Sequence, residues 1–190
     1  MNIVLTGFMG TGKTTLGRLL AKKLSLTHVD TDELIEKSQG LSVSTIFNKY
    51  GENYFRQLEA EVIKKLAEEN ENLVISTGGK TLLNKRNLNL LTKKGIIITL
   101  IGEPELLWER VKNSFLRPLV NRSNKERFID LYRKREPLYE QLPNKIKIDN
   151  LSIVEAIQKI MDILKAETRQ LEVKLGERKS LIIFNRFLLS

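Results

Sequence analysis

Gly7-Phe8-Met9-Gly10-Thr11-Gly12-Lys13-Thr14 carries the spacing G-x-x-x-x-G-K-[ST] of a phosphate-binding loop. The flanking residues supply the context such a loop requires. Ile3-Val4-Leu5 upstream is a short apolar run suited to a buried strand, and Leu16, Leu19, Leu20 and Leu24 downstream recur at helical spacing. Glycines let backbone N–H groups wrap an anion without side-chain clashes, and a helix starting there directs its positive end at the same point. In this pattern Lys13 reaches the β- and γ-phosphates, and the Thr14 hydroxyl is suited to ligate Mg2+.

The chain has 190 residues, 41% of them hydrophobic, enough for one good core and at most a small appendage. The net charge of +9 raises nucleic acid as a partner, but Lys and Arg are interspersed with Glu and Asp and form no basic stripe interleaved with aromatics. Nucleic acid is therefore not expected, and positive potential over a cleft would equally serve an enzyme of anionic substrates. No apolar run approaches the roughly eighteen residues of a membrane span, and no charged leader precedes a cleavage site. A cytoplasmic protein with no membrane partner is expected. Without cysteine, and with His28 as the one histidine, thiolate and histidine-based metal clusters are excluded, so any metal is held by oxygen. No large apolar face is left over, which predicts a monomer.

Further along, Thr27-His28-Val29-Asp30 reads as a second strand, with His28 as a satisfied strand residue, and it ends at the carboxylates Asp30 and Asp32. Ligands of doubly wound sheets bind beyond the carboxyl ends of strands, which places both carboxylates beside the phosphate loop. Asp32 could also cap the helix that follows. Ser42–Phe47 suggests a short helix, and Gly51-Glu52 opens a longer one with Phe55, Leu58, Val62 and Leu66 on one face. Leu73-Val74-Ile75-Ser76 is a third strand, followed by the turn Thr77-Gly78-Gly79, where backbone can approach a ligand closely. No Asp closes this strand, so Asp30 is the candidate carboxylate for Mg2+. A helix over 84–91, a doubly buried strand Ile96–Leu100 and a helix opening at Glu103-Pro104 with Trp108 and Arg110 come next. Residues 112–125, with Lys112, Arg117, Arg122 and Lys125, read as a mobile basic lid. A helix to about Tyr139, a fifth strand at Lys145–Asp149 and a helix begun by the capping box Ser152-Ile153-Val154-Glu155 and ending near Glu167 complete the domain. Alternating short strands and helices predict a parallel sheet with helices on both faces.

Taken in order, the phosphate loop, Asp30-Thr31-Asp32, Phe55-Arg56, Thr77-Gly78-Gly79, Arg117-Pro118-Leu119 and Arg135-Glu136-Pro137-Leu138-Tyr139 resemble the shikimate kinase family over residues 1 to about 165. The resemblance implies a three-layer α/β P-loop fold of nucleoside-monophosphate-kinase type, with a five-stranded parallel sheet and a mobile lid. It implies ATP and shikimate as partners and transfer of the γ-phosphoryl group to the 3-hydroxyl of shikimate, in aromatic amino acid biosynthesis. By position, Gly10, Thr11, Gly12, Lys13, Thr14 and Thr15 would bind ATP, with Arg110 packing on adenine and Arg117 neutralising the transferring phosphoryl group. Thr14 would ligate Mg2+, and Asp30 would support it through water. Asp32 would hold the shikimate hydroxyls and accept the proton, Arg56 and Arg135 would bind the carboxylate, and Gly78 and Gly79 would offer backbone N–H groups. By the same resemblance Lys13, Asp32 and Arg117 would form the catalytic set, while Trp108 reads as packing.

In one place the chain departs from the family pattern, which usually has a third glycine where Lys80 stands. A positive φ there would strain a lysine by on the order of 1 kcal/mol. The expectation is that the loop works, with Lys80 pointing outward or adding charge near the substrate carboxylate. The kinase domain is placed at 1–168 and a C-terminal extension at 169–190. Within the extension, 171–190 read as two strands about a turn at Gly176–Ser180, and resemble the opening of 3-dehydroquinate synthase, to which the kinase would be fused; an extra hairpin on the kinase is the other reading. Two other functions fit less well: a kinase of another polyol acid such as gluconate, and a nucleotide-binding module that regulates a fused synthase.

Overall fold

β1, Asn2–Gly7, runs through the middle of the sheet with all six residues buried. In the computed structural model, which describes residues 1–69, 71–112 and 125–175, it pairs in parallel with β3 (Leu73–Ser76) on one side and β4 (Gly95–Ile101) on the other. β2 (Thr27–Asp30) lies outside β3 and β5 (Lys145–Lys147) outside β4, both parallel, giving the order β2-β3-β1-β4-β5. The chain thus leaves β1 for one edge and later crosses to the other side. This places a switch point at β1, where a ligand crevice opens beyond the carboxyl ends of the strands. Register aligns the rim of that crevice: Asp30 pairs with Ser76 and Ser76 with Leu5, so the phosphate loop, the Asp30 turn and the Thr77-Gly78-Gly79 turn leave the sheet at one level.

Burial on both faces explains the unbroken apolar runs of the central strands. Ile3, Val4, Leu5, Val74, Ile75, Ile97, Ile98 and Leu100 are all buried, each stabilising the fold by roughly 1.5–3 kcal/mol relative to exposure. The helices are α1 (Lys13–Leu24), α2 (Thr31–Gln39), α3 (Val43–Glu69), α4 (Lys85–Thr92), α5 (Pro104–Val111), α6 (Lys125–Tyr139) and α7 (Ile153–Leu175). α1 and α7 pack together, as do α3 and α4. At Gly51 α3 is broken, with φ 80° and ψ 172°, into the short and long pieces expected from sequence. Ile35, Ile46 and Phe55 form a small core of their own beneath α2 and α3. That lobe borders the crevice.

Two sequence expectations change. α7 does not end near Glu167 but continues to Leu175, across the boundary placed at residue 168, so the first strand of the expected hairpin is helix instead. The alternation Leu171, Val173, Leu175 suggested a strand, yet no Gly or Pro interrupts the run before Gly176, and Glu, Gln, Arg, Lys and Leu favour helix. A buried stripe of Ala156, Ile160, Leu164 and Thr168 at four-residue spacing carries the helix past the expected end. At its start the capping box forms, with the Ser152 amide donating to Glu155 Oε2 at 2.8 Å and the Glu155 amide to Ser152 Oγ at 3.2 Å. The rest of the extension, from 176, and the lid residues 113–124 lie outside the described residues.

Candidate active site

The phosphate loop closes on itself before it meets a ligand. Thr11 donates through Oγ1 to the Phe8 carbonyl at 2.8 Å, and Lys13 Nζ donates to the carbonyls of Gly7 at 2.8 Å and Phe8 at 3.0 Å. Gly7 has φ 139°, and a Cβ there would stand 2.2 Å from the Leu100 carbonyl oxygen, so no other residue fits between β1 and β4. Gly10 has a similar constraint, its virtual Cβ meeting the Leu107 carbonyl at 2.8 Å, and so α5 can press against the loop. Gly12 caps α1 without a side-chain hydrogen bond, and no acidic residue lies in the first turn. The helix therefore presents first-turn N–H groups to an anion without a carboxylate of its own competing for them.

Asp30 ties this loop to β2. Its Oδ2 accepts from Thr14 Oγ1 at 2.8 Å, and its Oδ1 accepts the Asp32 amide at 3.0 Å. Asp30, rather than Asp32, thus caps α2: it is the last extended residue before the helix, with φ −112° and ψ 126°. Asp32 sits inside the first turn, its side chain turned to the crevice floor, where Oδ1 is 2.9 Å from the position of a Cβ on Gly78. The Thr14 and Asp30 donors are both oxygen, and the described residues contain no cluster of three or more His, Cys, Asp or Glu. Such a site suits Mg2+, which retains waters and substrate phosphate oxygens in preference to an all-protein cage.

On the opposite wall, the Gly78 amide, expected to face the substrate, is engaged within the protein, and the residue serves as a spacer. Its amide donates to Thr31 Oγ1 at 3.1 Å, and a side chain on it would run into Asp32 and Glu59. Gly79 lies nearer the opening, its virtual Cβ 3.9 Å from Arg135 Nη1. Tyr139 donates its hydroxyl to the Gly79 carbonyl, and burial pushes the phenol up to about 12 although Arg135 beside it acts the other way. The Arg135 guanidinium lies over the Phe8 ring, 5.6 Å from its centroid. Arg56 packs over Phe55 at 5.1 Å, and its Nη1 donates to both oxygens of the buried Glu59 at 3.0 Å. Glu59 and Tyr139 have no assigned part in the sequence reading, yet they hold the two arginines and the glycine turn in place.

Lys80 adopts φ −111° and ψ −7°, an ordinary conformation for any residue. The positive φ that would have strained a lysine is absent, as the expectation of a working loop requires. Its side chain points outward and donates to Glu52 Oε1 at 2.8 Å. Arg110 extends from α5 toward the loop, 3.5 Å from the Gly10 carbonyl, and Thr15 follows Thr14 in the first turn of α1. Trp108 is buried against Phe128, as expected of a packing residue. Ser76 donates its proton to the Lys13 carbonyl at 3.1 Å, which makes His28 Nε2 the donor to Ser76 Oγ at 3.0 Å. Desolvation lowers the His28 pKa, so the ring is a neutral brace for the start of α1. Arg117 lies outside the described residues.

A polyphosphate can enter at the α1 end of this crevice, and an anionic compound bearing a hydroxyl can be gripped at the arginine end, with Asp32 between. That is the arrangement of a P-loop kinase acting on a small molecule. Residues 9–165 match the family model described as Shikimate kinase. A shikimate kinase from Pelotomaculum thermopropionicum is 44% identical over 165 residues, covering 86% of this chain and 95% of that protein. The structure of the Acinetobacter baumannii shikimate kinase in complex with shikimate superimposes with a TM-score of 0.80 at 34% identity, covering 87% of this chain and 93% of that one. The chain belongs to the shikimate kinase family. A gluconokinase from Sinorhizobium meliloti, at 15% identity and a TM-score of 0.58 over 92% of this chain and 97% of its own, shares the fold alone.

Proposed function

We propose that this chain transfers the γ-phosphoryl group of ATP to the 3-hydroxyl of shikimate, giving shikimate 3-phosphate and ADP. The observation that carries the reading is the family match over residues 9–165, joined to a crevice in which Arg135 and Gly79 meet opposite Asp32. Loop amides from Gly10 to Thr15, with Lys13, hold the phosphates; Arg110 flanks the nucleotide, and Arg117 supplies charge from the lid. Arg56 and Arg135 orient the acceptor by its carboxylate, for which a planar guanidinium is better suited than an ammonium, and the Gly79 amide adds a donor. Asp32 accepts the proton as the hydroxyl oxygen attacks phosphorus. Thr14 and, through water, Asp30 would hold Mg2+, which would offset the charge of the phosphates.

The enzyme is proposed to act in the cytoplasm as a monomer; among the described residues no helix is long and apolar enough to cross a membrane, and the exposed large apolar side chains are scattered. ADP formation by the purified chain with Mg2+ and ATP, measured with and without shikimate, tests the proposal. Strong stimulation by shikimate is expected. ATP binding without stimulation by shikimate would overturn it in favour of another acceptor or a regulatory module.

A further inference from the structure

Arg56, the expected anchor of the acceptor carboxylate, faces two carboxylates of its own protein. Its Nη1 meets Glu59 at 3.0 Å, and its Nη2 and Nε meet Glu52 Oε1 at 3.2 Å. That trio carries one negative charge in excess, an unfavourable setting for an incoming anion. Lys80 removes the excess: its ammonium lies 2.8 Å from the same Glu52 oxygen that Arg56 contacts, and this contact is the main reason the Glu52 carboxyl titrates below its usual range. The side chain reaches Glu52 from the position directly after Gly79, so the compensating charge stands at the mouth of the acceptor end. Glu52 in turn directly follows the Gly51 break in α3, so the contact also ties the glycine turn to the lobe bearing Arg56.

We propose that Lys80 sets the affinity for the acceptor: by sharing Glu52 with Arg56 it offsets the excess negative charge beside the guanidinium, so that a carboxylate-bearing substrate can approach, a role that glycine in this position could not fill. The inference rests on the kinase reading above. Both partners are close to half exposed, so solvent screening keeps the effect modest and sensitive to salt.

Steady-state kinetics of the full chain test this. Lys80→Met is expected to raise the KM for shikimate about threefold to fivefold, with kcat and the KM for ATP within about twofold of the parent. Lys80→Arg is expected to keep the parental KM. Glu52→Gln introduced into Lys80→Met should bring the KM back toward the parental value, because the excess carboxylate is then gone. The difference between parent and Lys80→Met should also shrink at high salt. Lys94→Met, which removes an exposed ammonium paired with Glu71 at the amino end of the sheet, is the charge-matched control and should leave all constants unchanged. A Lys80→Met enzyme with the parental KM, or a double variant worse than Lys80→Met, would overturn the inference while leaving the kinase reading intact. A parent chain whose ADP formation ignores shikimate would instead overturn the kinase reading, and this inference with it.

Discussion

Arg56 Nη1 donates to both carboxylate oxygens of Glu59, each at 3.0 Å, and Thr81 Oγ1 donates to the same carboxylate at 2.6 Å. The Glu59 side chain is 2% exposed, whereas that of Arg56 is 28% exposed, so the acid is the fixed member of the pair and the arginine the one that faces the crevice. Glu59→Ala is expected to destabilise the protein by about 2–3 kcal/mol, less than the loss of a fully buried ion-pair partner because Arg56 can turn to water. The KM for shikimate should rise about tenfold as the guanidinium loses its orientation, an effect of the order of a charge-assisted hydrogen bond. Urea denaturation and acceptor-dependent kinetics check the two effects separately.

Asp30 combines a helix cap with a carboxylate bonded to Thr14 at the proposed Mg2+ position, and two substitutions separate these. Asn caps a helix about as well as Asp, so Asp30→Asn should keep the parental melting temperature while requiring more Mg2+ for half-maximal rate. Asp30→Ala should lose both, including about 1 kcal/mol of stability from the missing cap. Thermal melts alongside Mg2+ titrations of the rate distinguish them.

Asp32→Asn retains the shape of the crevice floor and its backbone bond to Asp30, but removes the proposed proton acceptor. The expected result is a fall in kcat by about a hundredfold to ten-thousandfold with an unchanged KM for ATP. A kcat within a few fold of the parent would assign the proton elsewhere.

Tyr139 gives a pH signature. Its phenol pKa is raised from 10.0 to about 12, chiefly by burial, so the native state holds its proton where the unfolded chain has lost it. The resulting stabilisation is fully present below pH 10 and is lost as pH rises from 10 through 12; a shift of that size amounts to about 2–3 kcal/mol. Tyr132, also raised to about 12, titrates in the same window. Tyr139→Phe should therefore be less stable at pH 8 by about 1 kcal/mol, through loss of the bond to the Gly79 carbonyl, yet should show a shallower decline between pH 10 and 12 in urea melts.

The order of strands and helices, the phosphate loop and the placement of Asp30 and Asp32 beside it could be read from local pattern, whereas Gly79 and Arg135 gain their roles only through the family resemblance, since a lone arginine or a glycine turn has many uses. Glu59 could not, for a definable reason. An apolar face drawn through Phe55, Leu58, Val62 and Leu66 is slightly out of phase; the buried stripe runs through Phe55, Glu59, Ile63 and Leu66. An acid in step with that stripe was the available signal, concealed because an i, i+3 pair with Arg56 looks like an ordinary surface ion pair. Which of Asp30 and Asp32 caps α2 depends on where the backbone changes conformation, and spacing alone does not specify it. Lys80 was read against a pattern of glycines, but its unstrained backbone shows that absence of a side chain there is not a conformational requirement. At the end of α7, alternation over five residues was outweighed by helical packing further upstream.

Phe8 occupies one of the unspecified positions of the phosphate-loop motif, yet it stands between the two ends of the reaction. Its carbonyl accepts from Lys13 and Thr11, while its ring supports Arg135 and meets Phe128, Tyr132 and Tyr139 edge-on. The proposed nucleotide and acceptor sites thus share a single footing. A shift of the loop on binding phosphates would move the ring on which Arg135 rests, and any change in acceptor affinity that followed would act equally in the opposite direction. The motif's least constrained letter is thus the residue through which the phosphate loop and Arg135 are in contact.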